Sequence, residues 1–282
     1  MSRIVYVNGD YVPEEEAKIS IFDRAFLFAD GIYEVTAVLD GKLVDFESHL
    51  QRMHRSLREL DMAQPVPDAE LREFHEQLIA RNKLTQGAVY LQITRGVAER
   101  DFAYPVNAEQ TIIGFTQAKQ ITDSPEVRKG IRIITIPDIR WQRRDIKTTG
   151  LLAQSMGKHA ADMAGADDAW MVEDGHVTEG TASNAYIVLD GMRLVTRPLS
   201  NSILSGITRR AILKLAENGE ISVEQRLFTV NEAKSASEAF MTNSTSLVMP
   251  VVEIDGVMIG DGQPGPVTRK LRDMYIAMAR NG

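Results

Sequence analysis

Residues 32 to 46, with the sequence IYEVTAVLDGKLVDF, contain a clear local signal for secondary structure. The first part of this stretch, Ile32 to Leu39, is rich in β-branched side chains, and Asp40-Gly41 separates it from Lys42 to Phe46. Two such runs joined by Asp-Gly are the strongest short-range signal for a β-hairpin. From Glu47 to Leu60 the apolar residues recur at helical spacing, so a helix is predicted directly after the hairpin.

Blocks of strands and helices extend outward from this hairpin in both directions. Ile4 to Val7 and Tyr11 to Pro13 are predicted strands on either side of an Asn8-Gly9-Asp10 turn. Further helices are predicted over residues 68–82, 151–164, 208–218 and 267–279, and further strands over residues 88–95, 111–116, 131–137, 168–173, 185–189, 238–242 and 246–254. Elements that occur in blocks favour an α+β fold over a doubly wound sheet.

A polar segment near the middle of the chain is the best candidate for a linker between domains. It runs from Lys119 to Gly130 and contains Ser124-Pro125. At roughly 150 residues per domain, the 282 residues also predict about two domains. We therefore predict a smaller N-terminal α+β domain over residues 1–119 and a larger C-terminal domain over residues 120–282.

The composition excludes several classes of protein. With 44% hydrophobic and 25% charged residues it is that of an ordinary globular chain. The net charge of -7 has the wrong sign for a protein that binds nucleic acid through its phosphates. The absence of cysteine excludes disulfides, thiolate metal sites and cysteine nucleophiles. The five histidines show no metal-binding spacing, so we expect no metal site.

Two further patterns are interpreted as having no special function, and the lack of long apolar runs indicates where the protein is found. The glycines at Gly260, Gly262 and Gly265 match a dinucleotide-binding loop, but only 17 residues follow, too few for the returning strand, so a turn is predicted. Arg140, Arg143 and Arg144 are interpreted as a solvated basic surface. No apolar run approaches 18 residues and the N-terminus lacks the apolar core of a signal peptide, so we expect a cytoplasmic protein without membrane contact.

Ordered motifs along the chain carry a resemblance to a known family. They are DRAFLFADGIYE at residues 23–34, HLQR at 49–52, DIKTT at 145–149, TEGTASN at 178–184 and ILSGITR at 203–209. Together they resemble the fold-type IV pyridoxal 5'-phosphate (PLP) enzymes, and the resemblance runs nearly from end to end. It implies a two-domain α+β fold with PLP between the domains and a homodimer.

The resemblance also implies which residues hold PLP. Lys147 stands at the position of the lysine that binds the cofactor covalently and moves protons. Glu179 stands where a carboxylate faces the pyridine nitrogen, although Thr-Glu-Gly alone is typical of a turn. The residues implied at the phosphate and the ring are Arg52, Leu204, Gly206, Ile207, Thr208 and Ser244. The Gly-Ile-Thr of this set opens a predicted helix, and a helix N-terminus favours an anion.

The substrate is indicated by a tyrosine and a loop. Tyr33 matches the family's active-site tyrosine. In D-amino acid transaminases the loop after Thr-Arg-Gly carries an Arg-x-His pair that binds the substrate carboxylate, whereas this loop has Arg100 but Phe102 in place of the histidine. Because an arginine can bind a carboxylate with two hydrogen bonds, we predict a D-amino acid transaminase.

The predicted enzyme transfers the amino group of D-alanine, D-glutamate or a similar D-amino acid to pyruvate or 2-oxoglutarate by a ping-pong mechanism. Three alternatives remain open. A branched-chain L-amino acid aminotransferase ranks second, an (R)-amine transaminase follows because Phe102 makes the pocket more apolar, and an aminodeoxychorismate lyase ranks last.

Overall fold

A computed structural model describes residues 2–190, 192–219 and 221–281. Among these, contacts group residues 2–120 with 146–150 as a first unit and the remaining described residues as a second. The predicted division after residue 119 lies where the chain first passes between the units. The segment Ile146–Gly150, which contains Lys147, groups with the first unit and not with the rest of residues 120–282. The two-domain division itself stays a prediction.

The first unit is built on an antiparallel sheet. Its strands are β1 (Ile4–Val7), β2 (Asp10–Pro13), β3 (Gly31–Leu39), β4 (Lys42–Leu43), β5 (Gln86–Thr94) and β6 (Ile112–Ala118), and its helices are α1 (Arg24–Phe28), α2 (Phe46–Glu59) and α3 (Asp68–Arg81). The spatial strand order is β2-β1-β6-β5-β3-β4. Strand β3 pairs with β5 over its whole length, from Gly31 opposite Thr94 to Leu39 opposite Gln86. Residues such as Ile32, Leu50 and Leu91 form its core.

The hairpin predicted from Asp40-Gly41 is confirmed, but its second strand is shorter than expected. Strand β4 ends at Leu43, Asp45 adopts a left-handed conformation with φ 53°, and Phe46 already belongs to α2. Because Phe46 is buried in the core, the helix takes up the last residue of the predicted strand. The helix therefore begins one residue earlier than its apolar spacing indicates.

The second unit contains a larger, mixed sheet. Its strands are β7 (Ile131–Pro137), β8 (Asp168–Glu173), β9 (His176–Gly180), β10 (Asn184–Leu189), β11 (Arg193–Thr196), β12 (Ser222–Gln225), β13 (Glu238–Asn243), β14 (Leu247–Ile254) and β15 (Val257–Met258). Its helices are α4 (Pro125–Lys129), α5 (Leu152–Met163), α6 (Ile207–Asn218), α7 (Val230–Lys234) and α8 (Pro266–Asn281). The order is β12-β11-β10-β13-β14-β7-β8-β9, with β15 beside β14. The predicted α+β class is confirmed.

Local patterns predicted some of these elements and missed others. The predicted linker contains α4, which Ser124 caps by accepting a hydrogen bond from the Val127 N–H. The glycine-rich stretch is a turn with positive φ at Gly260 and Gly262, as predicted, and α8 follows it. The turn interpretation of Thr-Glu-Gly is wrong, because Glu179 lies in β9 and is buried.

Two properties of the described residues bear on function. None of their helices is long and apolar enough to cross a membrane. Within the same residues, no group of three or more His, Asp or Glu side chains is arranged to hold a metal ion.

Candidate active site

Lys147 is held at the end of strand β3 by main-chain hydrogen bonds. The Tyr33 N–H donates to the Lys147 carbonyl at 3.0 Å, and the Thr149 N–H donates to the Gly31 carbonyl at 3.0 Å. The Lys147 Nζ lies 4.1 Å from the centroid of the Tyr33 ring. Among the residues the structure describes, no carboxylate forms an ion pair with this ammonium group. A lysine so placed, without a counter-charge, fits the residue that condenses with an aldehyde.

A buried cluster of three charged or polar side chains lies in the same unit. Because successive strand residues point to opposite faces, Glu34 points away from Tyr33 and is only 2% exposed. His49 and Arg52 share one face of α2 at i and i+3 and meet this carboxylate. Arg52 donates from Nε at 2.8 Å and from Nη2 at 2.7 Å, and the His49 Nδ1 lies 2.7 Å from Oε2. The three side chains thus form one hydrogen-bonded group.

The pKa values of this cluster define its charges. Burial raises the pKa of Glu34, but Arg52 and His49 outweigh it and hold that pKa far below its usual range. Burial lowers the pKa of His49 despite its bond to Glu34. At neutral pH the cluster is therefore a carboxylate, a guanidinium and a neutral imidazole, which donates from Nδ1.

Sequence reasoning placed Arg52 at the cofactor phosphate and gave Glu34 and His49 no role. The structure places Arg52 against Glu34 through two hydrogen bonds, and its phosphate role stays a prediction. One signal for the cluster was present in the sequence. A glutamate within an apolar strand, followed by a helix with His and Arg three residues apart, indicates a buried charge that needs partners.

The predicted cofactor carboxylate, Glu179, lies on β9 in the second unit. Arg140 donates to its Oε1, the Asn184 Nδ2 donates to Oε2 at 3.0 Å, and the Leu204 N–H lies 3.1 Å from Oε2. Burial raises the pKa of Glu179 more than Arg140 and the Leu204 N–H lower it, so the net pKa lies above its usual value. A carboxylate offers about four lone-pair positions, so three donors leave capacity for one more N–H. This acceptor set fits a protonated pyridine nitrogen.

Arg140 is itself held by a buried acid. The Asp138 Oδ2 accepts from Arg140 Nη2 at 2.7 Å and from the Thr178 hydroxyl at 2.7 Å. Burial raises the pKa of Asp138, but these two donors outweigh it and lower the net pKa. Arg144 is also buried and donates to Glu173 at 2.7 Å. The interpretation of Arg140 and Arg144 as solvated charges is therefore wrong, because each is neutralised by a carboxylate inside the unit.

The predicted anion site lies at the N-terminus of α6 (Ile207–Asn218). The first N–H groups of an α-helix have no partner within the helix. In α6 the N-cap residue is Gly206, which has no side chain to accept a hydrogen bond from them. A Cβ on Gly206 would lie 2.0 Å from the Asn184 Oδ1, which explains the glycine at this position. Thr208, in the first turn, is buried. The dipole and N–H groups of this turn fit a phosphate group.

The remaining predicted cofactor residues are also in the second unit. Leu204 is half-buried and its main chain contacts both Glu179 and Asn184. Ile207 is buried at the start of α6. Ser244 is half-buried in the turn between β13 and β14. The structure thus brings Glu179, Leu204 and the α6 N-terminus together, and the cofactor roles of all these residues stay predictions.

The predicted substrate residues lie in the first unit. Tyr33 is half-buried and stacks on Tyr90 with 5.5 Å between the ring centroids. Arg100 and Phe102 lie in the loop between β5 and β6, where Phe102 is 79% exposed. The Arg100 guanidinium carbon lies 5.6 Å from the ring centroids of both Phe28 and Phe102. In this conformation its positive charge lies beside aromatic rings.

The fold and the chemistry of these residues fit a PLP-dependent enzyme, and comparison with known proteins agrees. The family model described as amino-transferase class IV matches residues 31–254. The chain belongs to this family. The resemblance found in the sequence motifs is thereby confirmed.

Individual relatives extend the comparison over almost the whole chain. A D-alanine aminotransferase of Staphylococcus aureus (strain N315) is 39% identical over 274 residues, which cover 96% of each chain. A D-alanine aminotransferase of Bacillus licheniformis is 36% identical over 95% of this chain and 94% of its own. Among solved structures, the T.th. branched-chain amino acid aminotransferase with pyridoxamine 5'-phosphate superposes with a TM-score of 0.91 at 26% identity, covering 100% of this chain and 95% of the other.

Proposed function

We propose that the protein is a PLP-dependent transaminase that transfers the amino group of a D-amino acid, such as D-alanine or D-glutamate, to pyruvate or 2-oxoglutarate. One observation carries the choice of substrate class. The chain is 39% identical to a D-alanine aminotransferase over 96% of both chains, against 26% to the branched-chain enzyme of similar fold. Arg100, which can bind a substrate carboxylate with two hydrogen bonds, supports the same choice.

Each proposed cofactor residue has a role that follows from the chemistry of its side chain or main chain. PLP, when bound, supplies an aldehyde and an electron-accepting pyridine ring. Lys147 would hold the cofactor through its aldehyde carbon, and its amine would carry the proton at the substrate Cα. Glu179 would keep the pyridine nitrogen protonated. Thr208, Ile207 and Gly206 bind the phosphate through the first turn of α6.

Three further residues complete the proposed cofactor site. Arg52 and Ser244 contribute to phosphate binding, Arg52 with its orientation fixed by Glu34. Leu204 covers one face of the ring. These roles follow from the family resemblance, and the hydrogen bond from the Leu204 N–H to Glu179 supports the one given to Leu204.

The substrate side depends on three residues. The hydroxyl of Tyr33 and the guanidinium of Arg100 bind the carboxylate, and Phe102 replaces a histidine donor. Losing one charge-assisted hydrogen bond weakens carboxylate binding by roughly 1.5–3 kcal/mol. The exposed apolar ring of Phe102 favours a second candidate function, the transamination of (R)-amines, as a side activity of the same site.

We also propose a cytoplasmic homodimer. The first unit exposes large apolar side chains at Ile21 and Val106 in loops and at Phe26 in α1, where they are 67%, 94% and 76% exposed. The dimer follows from the family resemblance, and exposed apolar side chains are the kind of surface that a subunit interface covers. Light scattering should give a mass of twice 31.4 kDa, and a mass of 31.4 kDa would contradict the dimer.

A half-reaction screen tests the function. The purified PLP form is mixed in separate experiments with D-alanine, D-glutamate, L-leucine and (R)-1-phenylethylamine, and conversion to pyridoxamine 5'-phosphate is followed by its absorbance. We expect fast conversion with the D-amino acids, slow conversion with the amine and none with L-leucine. Fast conversion with L-leucine alone would replace the proposal with a branched-chain enzyme.

A variant of the cofactor lysine tests the site independently of the substrate. Lys147→Ala should lose the visible absorption band of covalently bound PLP while its far-UV circular dichroism is unchanged, because alanine has no amine. Lys158→Ala is the control, since that lysine is 58% exposed and lies on α5. An unchanged visible band in Lys147→Ala would exclude Lys147 as the cofactor lysine.

A further inference from the structure

The loop that carries Arg100 and Phe102 is fixed at its base by the segment around helix α1. The Arg24 N–H donates to the Gly96 carbonyl at 2.9 Å, and the Ala98 N–H donates to the Phe22 carbonyl at 3.3 Å. Beyond residue 98 the chain leaves these main-chain contacts. The tip of the loop, beyond residue 98, is therefore held by side chains.

One buried arginine reaches the tip of this loop. The side chain of Arg24 is only 3% exposed, and its Nη1 donates to the carbonyl of Asp101 at 2.7 Å and to that of Ala103 at 3.3 Å. These two carbonyls flank Phe102. Arg24 therefore binds the main chain directly on either side of a proposed substrate residue.

The opposite edge of the Arg24 guanidinium is fixed by the carboxylate of Asp30, which also binds Arg95. The Arg24 Nε donates to Asp30 Oδ2 at 2.7 Å, and the Arg95 Nε donates to the same oxygen at 2.8 Å. Asp30 is the one carboxylate that the described structure pairs with either arginine, so a positive charge remains in excess. The carbonyls of the loop and the Tyr104 ring, 3.6 Å from the Arg95 guanidinium carbon, lie where they stabilise that charge.

Arginine is required for this arrangement because of its shape. The planar guanidinium donates from Nε in one direction and from Nη1 in another, whereas a lysine ammonium is a single point charge. A lysine at position 24 can keep the pair with Asp30 or reach a loop carbonyl, but it cannot span both. The arrangement thus depends on the planar guanidinium with its two donor directions, and not only on the positive charge.

Helix α1 also contacts the functional side chains themselves. The Phe28 ring lies 5.5 Å from the Phe102 ring, and the Arg100 guanidinium carbon lies 5.6 Å from the Phe28 centroid. The main chain at residues 101 and 103 and the side chains at 100 and 102 are thus supported by the same five-residue helix.

We propose that Arg24 is a positioning residue for substrate specificity: it fixes the loop at residues 101–103 so that Arg100 is held where it binds the substrate carboxylate. This inference rests on the proposed function for the role of Arg100. The claim that Arg24 holds the loop stands on the contacts above and is testable without any activity.

Hydrogen exchange tests the structural part in the holoenzyme. Arg24→Gln should increase amide exchange in peptides covering residues 97–106 by about tenfold or more, because the loop loses both carbonyl contacts. Arg24→Lys should give an intermediate increase, and it serves as the conservative variant if Arg24→Gln folds poorly. Unchanged exchange in both variants would overturn the proposal.

A matched control separates loop positioning from a general loss of stability. Arg272 is also buried, and its guanidinium likewise donates to main-chain carbonyls, those of Ser246, Val248, Ile121 and Thr122. Arg272→Gln should lower the melting temperature but leave exchange at residues 97–106 and substrate preference unchanged. Equal loop exchange in Arg272→Gln and Arg24→Gln would show that Arg24 acts only through stability, which overturns the proposal.

Steady-state kinetics test the specificity part. Arg24→Gln should lower kcat/KM for D-alanine by about tenfold, mostly through a higher KM, and change that for (R)-1-phenylethylamine by less than about twofold, because the amine has no carboxylate. In an Arg100→Ala background the same substitution should cause no further loss for D-alanine. Equal losses on both substrates, or full additivity with Arg100→Ala, would overturn the specificity role.

The two proposals fail in different ways. A wild-type enzyme that does not convert D-alanine would contradict the proposed function, and the exchange data would still decide whether Arg24 holds the loop. A wild type that converts D-alanine, with variants of unchanged loop exchange, would contradict the role of Arg24 alone.

Discussion

Replacing Glu34 with glutamine tests the physical description of the buried cluster. The glutamine has nearly the shape of the glutamate but no charge, and one of its two oxygen positions becomes an NH2 group. Arg52 donates to both oxygens and the His49 Nδ1 lies against Oε2, so either orientation of the amide places its NH2 against at least one donor. The variant therefore loses at least one hydrogen bond and removes the negative charge beside the buried guanidinium.

The magnitude follows from the burial of this pair. The side chains of Glu34 and Arg52 are 2% and 7% exposed. Removing one partner of a buried ion pair costs about 3–5 kcal/mol. We therefore expect Glu34→Gln to lower the free energy of unfolding at pH 7 by about 3–5 kcal/mol, measured by urea denaturation at fixed protein concentration.

An exposed ion pair in the same unit supplies the control. Glu47 pairs with Arg72 on the surface, where their side chains are 71% and 43% exposed. Glu47→Gln should change the free energy of unfolding by less than about 1 kcal/mol. Equal losses in the two variants would refute the argument that burial makes the Glu34 pair strong.

The pH dependence has a defined sign. Because the pKa of Glu34 is lowered in the folded protein, its stabilising contribution is present above the unfolded value of about 4.3 and is lost as the pH falls below it. The difference between wild type and Glu34→Gln should therefore shrink on acidification below about pH 4.3. A difference that stays constant down to about pH 3 would contradict the assignment of this pKa shift to Glu34.

Three further predictions concern other groups. Glu179→Gln should keep PLP bound but lower kcat, because a neutral amide no longer favours a protonated pyridine nitrogen, and wild-type turnover would remove Glu179 from this role. Arg100→Ala should lower kcat/KM for D-alanine by at least about tenfold and leave (R)-1-phenylethylamine nearly unaffected, whereas equal losses would leave Arg100 only a structural part of the loop. His75 is buried and its pKa is lowered to about 4, so its contribution of about 3 kcal/mol to folding is complete above pH 6.5 and is lost as the pH falls toward 4. A His75→Gln variant should lack that part of the slope in urea titrations, and an unchanged slope would assign it elsewhere.

Local signals in the sequence were sufficient to predict the elements whose own residues show a clear hydrophobic period. The Asp40-Gly41 hairpin, the amphipathic α2 and the long strand β5 each combine a hydrophobic period with a turn or cap, and all are found. The short strands β11 and β12 were missed although β1, of the same length, was predicted. Asp190-Gly191 stands just before β11 in the sequence and is the same hairpin signal as Asp40-Gly41, but it was overlooked. The strand β9 was missed because Thr-Glu-Gly has the composition of a turn, and burial in the sheet overrides that preference.

The candidate site could be predicted only where a motif named a residue. Lys147 and Glu179 came from the family resemblance, and their environment fits the chemistry. The hydrogen-bond partners of the site residues could not be predicted from the sequence. Arg140 and Glu179 are 39 positions apart in the chain, and Arg52 and Glu34 are 18 positions apart. Contacts of this kind are set by tertiary packing. The sequence indicates that a buried charge such as Glu34 needs partners, but it does not identify them.

The attachment of residues 146–150 to strand β3 has a consequence for how this gene can be divided or recombined. A fragment ending at residue 120 would lack the short segment whose main chain pairs with Gly31 and Tyr33, and so would expose that edge of β3. The same fragment would lack the lysine, which the chain inserts into the first unit only after residues 121–145 have been made. The N-terminal unit is therefore not a module that evolution or an engineer could exchange by a single crossover, because the lysine that we propose binds the cofactor is encoded within the other half of the gene.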